Sequence, residues 1–93
     1  MPYTVVYHPD VKAKDIPGMN RDQARRIAHA IETRLAIDPQ RYGDPLRRTL
    51  KGYWKLRVGD YRVVFKIVKN EVWVFGVMHR RNVYERIGKR LSS

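Results

Sequence analysis

GYWKLRVGDYRVVF, residues 52–65, reads as two strands and the turn between them. Residues 53–58 alternate, with Trp54, Leu56 and Val58 on one side and Tyr53, Lys55 and Arg57 on the other, which is the period of a half-buried strand. Gly59-Asp60 is a tight-turn pair, and both residues are read as serving the turn alone. A two-residue loop fixes the register: Val58 faces Tyr61, Arg57 faces Arg62, Leu56 faces Val63, Lys55 faces Val64 and Trp54 faces Phe65. One side is therefore core. The other presents Tyr53, Lys55, Arg57, Arg62 and Lys66, with Val64 as its one apolar member. Arginines directly opposed on a sheet cost roughly a few tenths of a kcal/mol or more. Arg57 and Arg62 must splay into solvent, hold a carboxylate such as Glu85 between them, or cradle a phosphate.

Outward from the hairpin, residues 72–78 are almost wholly apolar and predict a strand buried on both faces, central in the sheet. His79, Arg80 and Arg81 follow, and a Val83, Ile87, Leu91 stripe predicts a final short helix. Helical spacing sets Tyr84 off that stripe and about one turn from Arg80 or Arg81. Whether His79 or Arg80 shares the face of Arg62 depends on the register of the turn at residues 69–71. Towards the N-terminus, residues 3–7 predict a strand and His8-Pro9-Asp10 a turn. Residues 11–16 predict a short helix closed by Pro17-Gly18. A longer helix starts at Asn20, with Gln23 three residues on, places Ala24, Ile27, Ala28, Ile31 and Leu35 on one face, and stops at Asp38-Pro39. Arg25, Arg26, Glu32 and Arg34 form its solvated face. Residues 38–51 read as a loop with one helical turn near Leu46.

The charge is unevenly placed. Residues 1–46 carry seven Lys/Arg against six Asp/Glu and residues 47–93 thirteen against three, so the halves hold +1 and +10 of a net +11. Such asymmetry points to a polyanion, and nucleic acid fits because every phosphate neutralised releases counterions. A membrane fits less well, since the chain has no basic amphipathic helix, apolar run of spanning length, lipidation motif or signal-peptide layout. A cytoplasmic protein is expected. The lack of cysteine agrees and excludes disulfides, thiolate nucleophiles and Cys-ligated metals. With 43% hydrophobic and 11% aromatic residues, the chain is expected to fold as one domain, 1–93, and not to remain a basic tail. His8, His29 and His79 lack metal-ligand spacing, and no phosphate- or dinucleotide-binding glycine motif occurs. The basic half has only Asp60, Glu71 and Glu85 as carboxylates, so neither a carboxylate pair nor a two-metal centre is expected, and no metal or cofactor.

Two stretches carry a family resemblance: LKGYWKLRVGDYRVVFKI, residues 50–67, and VMHRRNVYERI, residues 77–87. The DP-terminated helix and the PLRRTLKG loop fit in order and spacing. Over most of its length the chain resembles the RelE/ParE superfamily of toxins of type II toxin–antitoxin systems, specifically its RelE-like branch. The resemblance implies an α+β fold, a small antiparallel β-sheet with helices packed on one face, in agreement with the order of elements. It implies a metal- and cofactor-independent endoribonuclease, an mRNA interferase that cuts A-site mRNA on the ribosome and inhibits translation. Carried over residue by residue, the basic residues that bind phosphate and stabilise the transition state match Lys55, Arg62 and Arg80, and the catalytic tyrosine matches Tyr84. Where some members place a further lysine, proposed as general base, this chain has Tyr53. That leaves Lys51, Tyr53 and His79 as alternatives to replace it. His79 is adjacent to Arg80, and an imidazole's reference pKa of about 6.5 suits proton transfer near neutrality. Lys51, Tyr53, Arg57 and Arg81 complete the set expected to contact RNA.

Cleavage of RNA by its own 2′-hydroxyl requires removal of that proton, stabilisation of a charged phosphorane and protonation of the departing 5′-oxygen. Arginine stays protonated below about pH 12, so Arg62 and Arg80 suit charge stabilisation through forked hydrogen bonds. A phenol with a reference pKa near 10 acts as a base only where cations favour phenolate, so Tyr84 is left with two roles, base or stacking platform. Internal attack confines the reaction to RNA and leaves a 2′,3′-cyclic phosphate. Two other classes stay open: a ParE-like inhibitor of DNA gyrase, and a non-catalytic RNA-binding or inactive toxin homologue. The expected partners are the ribosome, mRNA and a cognate acidic antitoxin in a toxin–antitoxin hetero-oligomer. The antitoxin is expected to cover the basic face or to displace the C-terminal helix through an apolar groove around Val83, Ile87 and Leu91.

Overall fold

The computed structural model describes residues 2–47 and 50–92. In order, the chain forms β1 (Thr4–Tyr7), a π-helical turn (Val11–Asp15), α1 (Arg21–Ala30) continued by a second π-helical turn (Ile31–Leu35), α2 (Pro39–Tyr42), β2 (Asp44–Pro45), β3 (Trp54–Val58), β4 (Tyr61–Val68), β5 (Glu71–His79) and α3 (Val83–Ser92). The strands make one sheet in the order β1-β5-β4-β3-β2. Its pairs are antiparallel except β1, which runs parallel to β5. Among the described residues no helix is long and apolar enough to cross a membrane.

The hairpin takes the register its sequence demands, with Trp54 opposite Phe65, Lys55 opposite Val64, Leu56 opposite Val63, Arg57 opposite Arg62 and Val58 opposite Tyr61. Gly59 supplies the positive φ of 59° that the tight turn needs. β4, not β5, is the middle strand of the five. β5 is internal but not buried throughout: Val72, Val74, Val77 and Met78 are buried, whereas Trp73 is exposed and its indole N–H donates to the Glu71 carboxylate at 2.9 Å. The β4–β5 pairing contains a bulge. Phe65 faces Val74 and Val64 faces Gly76, which leaves Phe75 as an extra residue in β5.

Asn20 caps α1 as its sequence suggests, accepting the Gln23 backbone N–H at 2.8 Å. Ile27, Ile31 and Leu35 are buried, but a spacing of four residues drifts about 40° per step round an α-helix. The last turn widens to an i→i+5 bond, Ala36 N–H to the Ile31 carbonyl at 2.9 Å, which turns Leu35 back onto the core face. After Asp38, Pro39 begins α2, where its missing N–H costs nothing. One helical turn of the connecting segment is thus Pro39–Tyr42; next to Leu46, the Leu50 N–H donates to the Arg47 carbonyl at 3.2 Å, an i→i+3 bond that agrees with the turn expected there. Arg48 and Thr49 of the expected loop lie outside the described residues.

Alternation in β4 feeds two cores. Val63 and Phe65 join Leu56, Val58, Val72, Val74 and Val77 beneath α1 and its π-helical continuation. Val64 joins Leu46, Leu50, Met78, Val83 and Ile87, so α3 covers part of the opposite face. The two layers are tied past the end of β1 by a buried ion pair. The Arg90 guanidinium donates to both Asp15 carboxylate oxygens, at 2.7 and 2.9 Å, and to the Phe75 carbonyl at 3.0 Å. Asp15 also accepts the Val77 backbone N–H at 2.8 Å, closing the open edge of β5.

Candidate active site

The face of β3 and β4 turned towards α3 carries Tyr53, Lys55, Arg57, Arg62 and Lys66, and its apolar residue Val64 seats α3 through Val83 and Ile87. Seating α3 brings Tyr84, an exposed residue, to the hairpin, with the Lys55 ammonium 5.9 Å from its ring centre.

Arg62 is the one cation of this face that is buried, at 8% exposure. Its Nη1 donates to the carbonyls of Gly59 at 3.0 Å and Tyr61 at 2.9 Å. The Arg57–Arg62 opposition is thus met by the carbonyl dipoles of the turn. Glu85 does not lie between the arginines; it pairs with Lys89 at 3.6 Å. Burial first, then the charges of Arg57 and Arg80, push the Arg62 guanidinium below its ordinary value, with Asp60 acting in the opposite sense. An additional anion would relieve both the desolvation and the repulsion.

Arg80 reaches the same place through Asp60. Its backbone N–H donates to the Asp60 carbonyl at 2.8 Å, and its Nε lies 3.8 Å from the Asp60 carboxylate. Asp60 is therefore more than a turn residue. The one acidic residue in a tight turn of a strongly basic half was the available sign.

His79 is not part of this grouping. It pairs with Tyr61, edge-on at 5.7 Å between ring centres, and so lies on the α1 side of the sheet. Its Nδ1 accepts the Arg81 backbone N–H at 3.2 Å. The bulge at Phe75 is the cause: by shifting β5 one residue against β4 it sets Met78 opposite Arg62 and carries Arg80, not His79, to the Arg62 face. Lys51 and Arg81 are exposed, and among the described residues their side chains form no hydrogen bond or ion pair with the grouping. Tyr53 sits on the site face, half-buried, edge-on to Phe75 at 5.3 Å. Above its ring, at 5.1 Å, is the Lys66 ammonium, a cation the family pattern did not single out. Val83 and Ile87, around which an antitoxin is expected to displace the C-terminal helix, are buried in the second core, so no groove is open there while α3 is seated. An apolar cleft of about 370 Å³ lies instead between the first π-helical turn and α1, lined by Tyr7, Val11, Ile16 and Ala24 among others.

A small, mostly antiparallel sheet with an α1 layer on one face, and a basic hairpin beside the C-terminal helix on the other, define a RelE-like toxin fold. A family profile described as "ParE toxin of type II toxin-antitoxin system, parDE" matches residues 5–84. The chain belongs to this family of toxins, within the RelE/ParE superfamily. Toxin RelG of Mycobacterium tuberculosis (strain ATCC 25618 / H37Rv) is 32% identical over 91 residues, covering 92% of this chain and 100% of that protein. The toxin of the toxin–antitoxin complex RelBE2 from Mycobacterium tuberculosis superposes with a TM-score of 0.79 at 29% identity, over 86% of this chain and 93% of that one. The archaeal RelE-RelB complex from Pyrococcus horikoshii OT3 contains a chain of the same fold, with a TM-score of 0.66 at 19% identity over 86% of this chain and 97% of that one.

Proposed function

We propose that this toxin is a ribosome-dependent endoribonuclease that cuts mRNA by attack of the 2′-hydroxyl on the adjacent phosphate, without a metal. The convergence of Lys55, Arg62, Arg80 and Tyr84 on one sheet face carries the reading. The Arg62 guanidinium is fixed by two carbonyls before substrate arrives, as electrostatic stabilisation of a phosphorane requires, and the Arg80 backbone is tied to the Asp60 carbonyl beside it. Among the described residues Arg62 engages only Nη1 with protein, which leaves donors for two phosphate oxygens. Lys55 and Tyr84 face each other, so the phenol either stacks on a base or takes the 2′-hydroxyl proton. Lys66, beside Tyr53, supplies a cation close to the position where some members carry the further lysine. The expected neutralising partner is an acidic antitoxin. That the RelBE2 and archaeal RelE-RelB neighbours were solved as toxin–antitoxin complexes supports it.

Arg62→Ala and Arg80→Ala are each expected to lower cleavage of ribosome-bound message by about 10²–10³-fold, the loss that follows removal of a transition-state donor. Primer extension measures this, and full activity in both variants rejects the reading. The ParE description of the matching family favours a second reading, inhibition of DNA gyrase. A supercoiling assay in which gyrase is blocked while message stays intact establishes that one. Binding of RNA with no cyclic-phosphate product leaves the third, a non-catalytic homologue.

A further inference from the structure

On the α1 side of the hairpin turn is a cleft of about 220 Å³ lined by Arg26, His29, Arg34, Arg57, Val58 and Gly59. Arg26 and Arg34 belong to the helical face that the sequence suggests is merely solvated. Arg26 and Arg34 line the cleft without a counter-ion: among the described residues neither is in an ion pair or a side-chain hydrogen bond. Arginines on a solvated helix face can spread apart. These instead wall one concavity, whose mutual repulsion is relieved by an anion. The cleft also adjoins the active-site face. The Arg26 guanidinium lies over Gly59, with Nη2 3.8 Å from where a Cβ would stand, while the Gly59 carbonyl holds Arg62 from the other side. Arg57, which stands opposite Arg62 on the α3 face, borders the cleft where β3 runs into the turn.

We propose that this arginine cleft is a second phosphate-binding site, which grips RNA backbone carried round the β3–β4 turn from the residues that act on the scissile phosphate. It rests on the reading of the toxin as an RNA-cutting protein. Its ligand is the phosphodiester backbone, recognised by charge and not by base sequence. The phosphates come either from the message or from the ribosome's own RNA.

Binding to 2′-O-methyl RNA, which internal attack cannot cut, and to ribosomes programmed with the same message, measured across salt concentrations, tests the proposal. Both Arg26 and Arg34 are exposed, so Arg26→Ala/Arg34→Ala folds. The double variant is expected to bind roughly tenfold or more weakly and to flatten the plot of log affinity against log salt by about 1.4, at about 0.7 per single-strand phosphate. Arg26→Lys/Arg34→Lys keeps the wild-type slope. A change on both probes assigns the phosphates to the message, and a change on ribosomes alone assigns them to ribosomal RNA. A wild-type slope in the Ala variant on both probes overturns the proposal. So does an equal loss in the Lys variant, or weakening of an acidic protein partner with RNA binding intact. Since neither probe needs to be cut, RNA binding of the expected slope by a wild-type protein that cleaves nothing sinks only the cleavage reading.

Discussion

The Lys66 ammonium lies over the Tyr53 ring, 5.1 Å from its centre, on the face that also holds Lys55 and Arg62. A cation–π contact at a partly exposed site is worth about 0.5–1 kcal/mol, enough to favour one orientation of a flexible lysine. Tyr53 thereby does indirectly what a lysine at its own position would do directly: it keeps a positive charge at that end of the face. Lys66→Ala is expected to lower kcat/KM for message cleavage about tenfold, the equivalent of about 1.4 kcal/mol, and Lys66→Arg to retain most of it. Time courses at limiting toxin measure both, and an unchanged rate in the Ala variant removes Lys66 from the site. The cation pattern itself was readable from sequence, because strict alternation and a two-residue Gly59-Asp60 turn leave the hairpin a single register. The ties that aim those cations were not. Arg62 is held by the Gly59 and Tyr61 carbonyls, and main-chain acceptors have no residue code.

At the scale of elements, the second β-turn shows where periodicity stops being enough. Val68 pairs with Glu71 across Lys69-Asn70, and carried on without interruption that register would set His79 on the face of Arg62. The extra Phe75 exchanges it for Arg80. Its causes are tertiary: Phe75 packs on Tyr53, its carbonyl takes the Arg90 guanidinium, and a Cβ at Gly76 would meet Met78 and stand 3.0 Å from Arg90. None of these contacts is visible along one strand. The same cluster anchors α3, and with it Tyr84. Removing one partner of a buried ion pair costs about 3–5 kcal/mol, since the other is left desolvated and uncompensated. Asp15→Ala also orphans the Val77 N–H, so it is expected to lose stability in that range. Urea unfolding reads the loss, and a change under about 1 kcal/mol shows that α3 is held by its apolar stripe alone.

For the molecule as a whole, a net charge of +11 on 93 residues sets self-repulsion against a core that is divided between two sheet faces. Arg57, Arg62 and Arg80 concentrate that repulsion on one side of the hairpin, while the ion pairs at the surface, such as Lys89–Glu85, are exposed and contribute little. Screening should therefore stabilise the isolated chain. Raising sodium chloride from about 10 to about 150 mM shortens the Debye length from about 30 to about 8 Å, and Tm is expected to rise by several degrees, with about 1 kcal/mol corresponding to about 4–8 °C at this size. At equal ionic strength phosphate should raise Tm further than chloride, both by exclusion from the surface and by occupying the arginine sites. Arg57 stands opposite Arg62 and borders the cleft, so Arg57→Ala separates the two contributions. The variant is expected to keep the chloride response and lose much of the extra effect of phosphate, whereas an undiminished phosphate excess assigns it to exclusion. A wild-type Tm that falls as chloride is added would mean that ion pairs, not repulsion, dominate the field of this molecule.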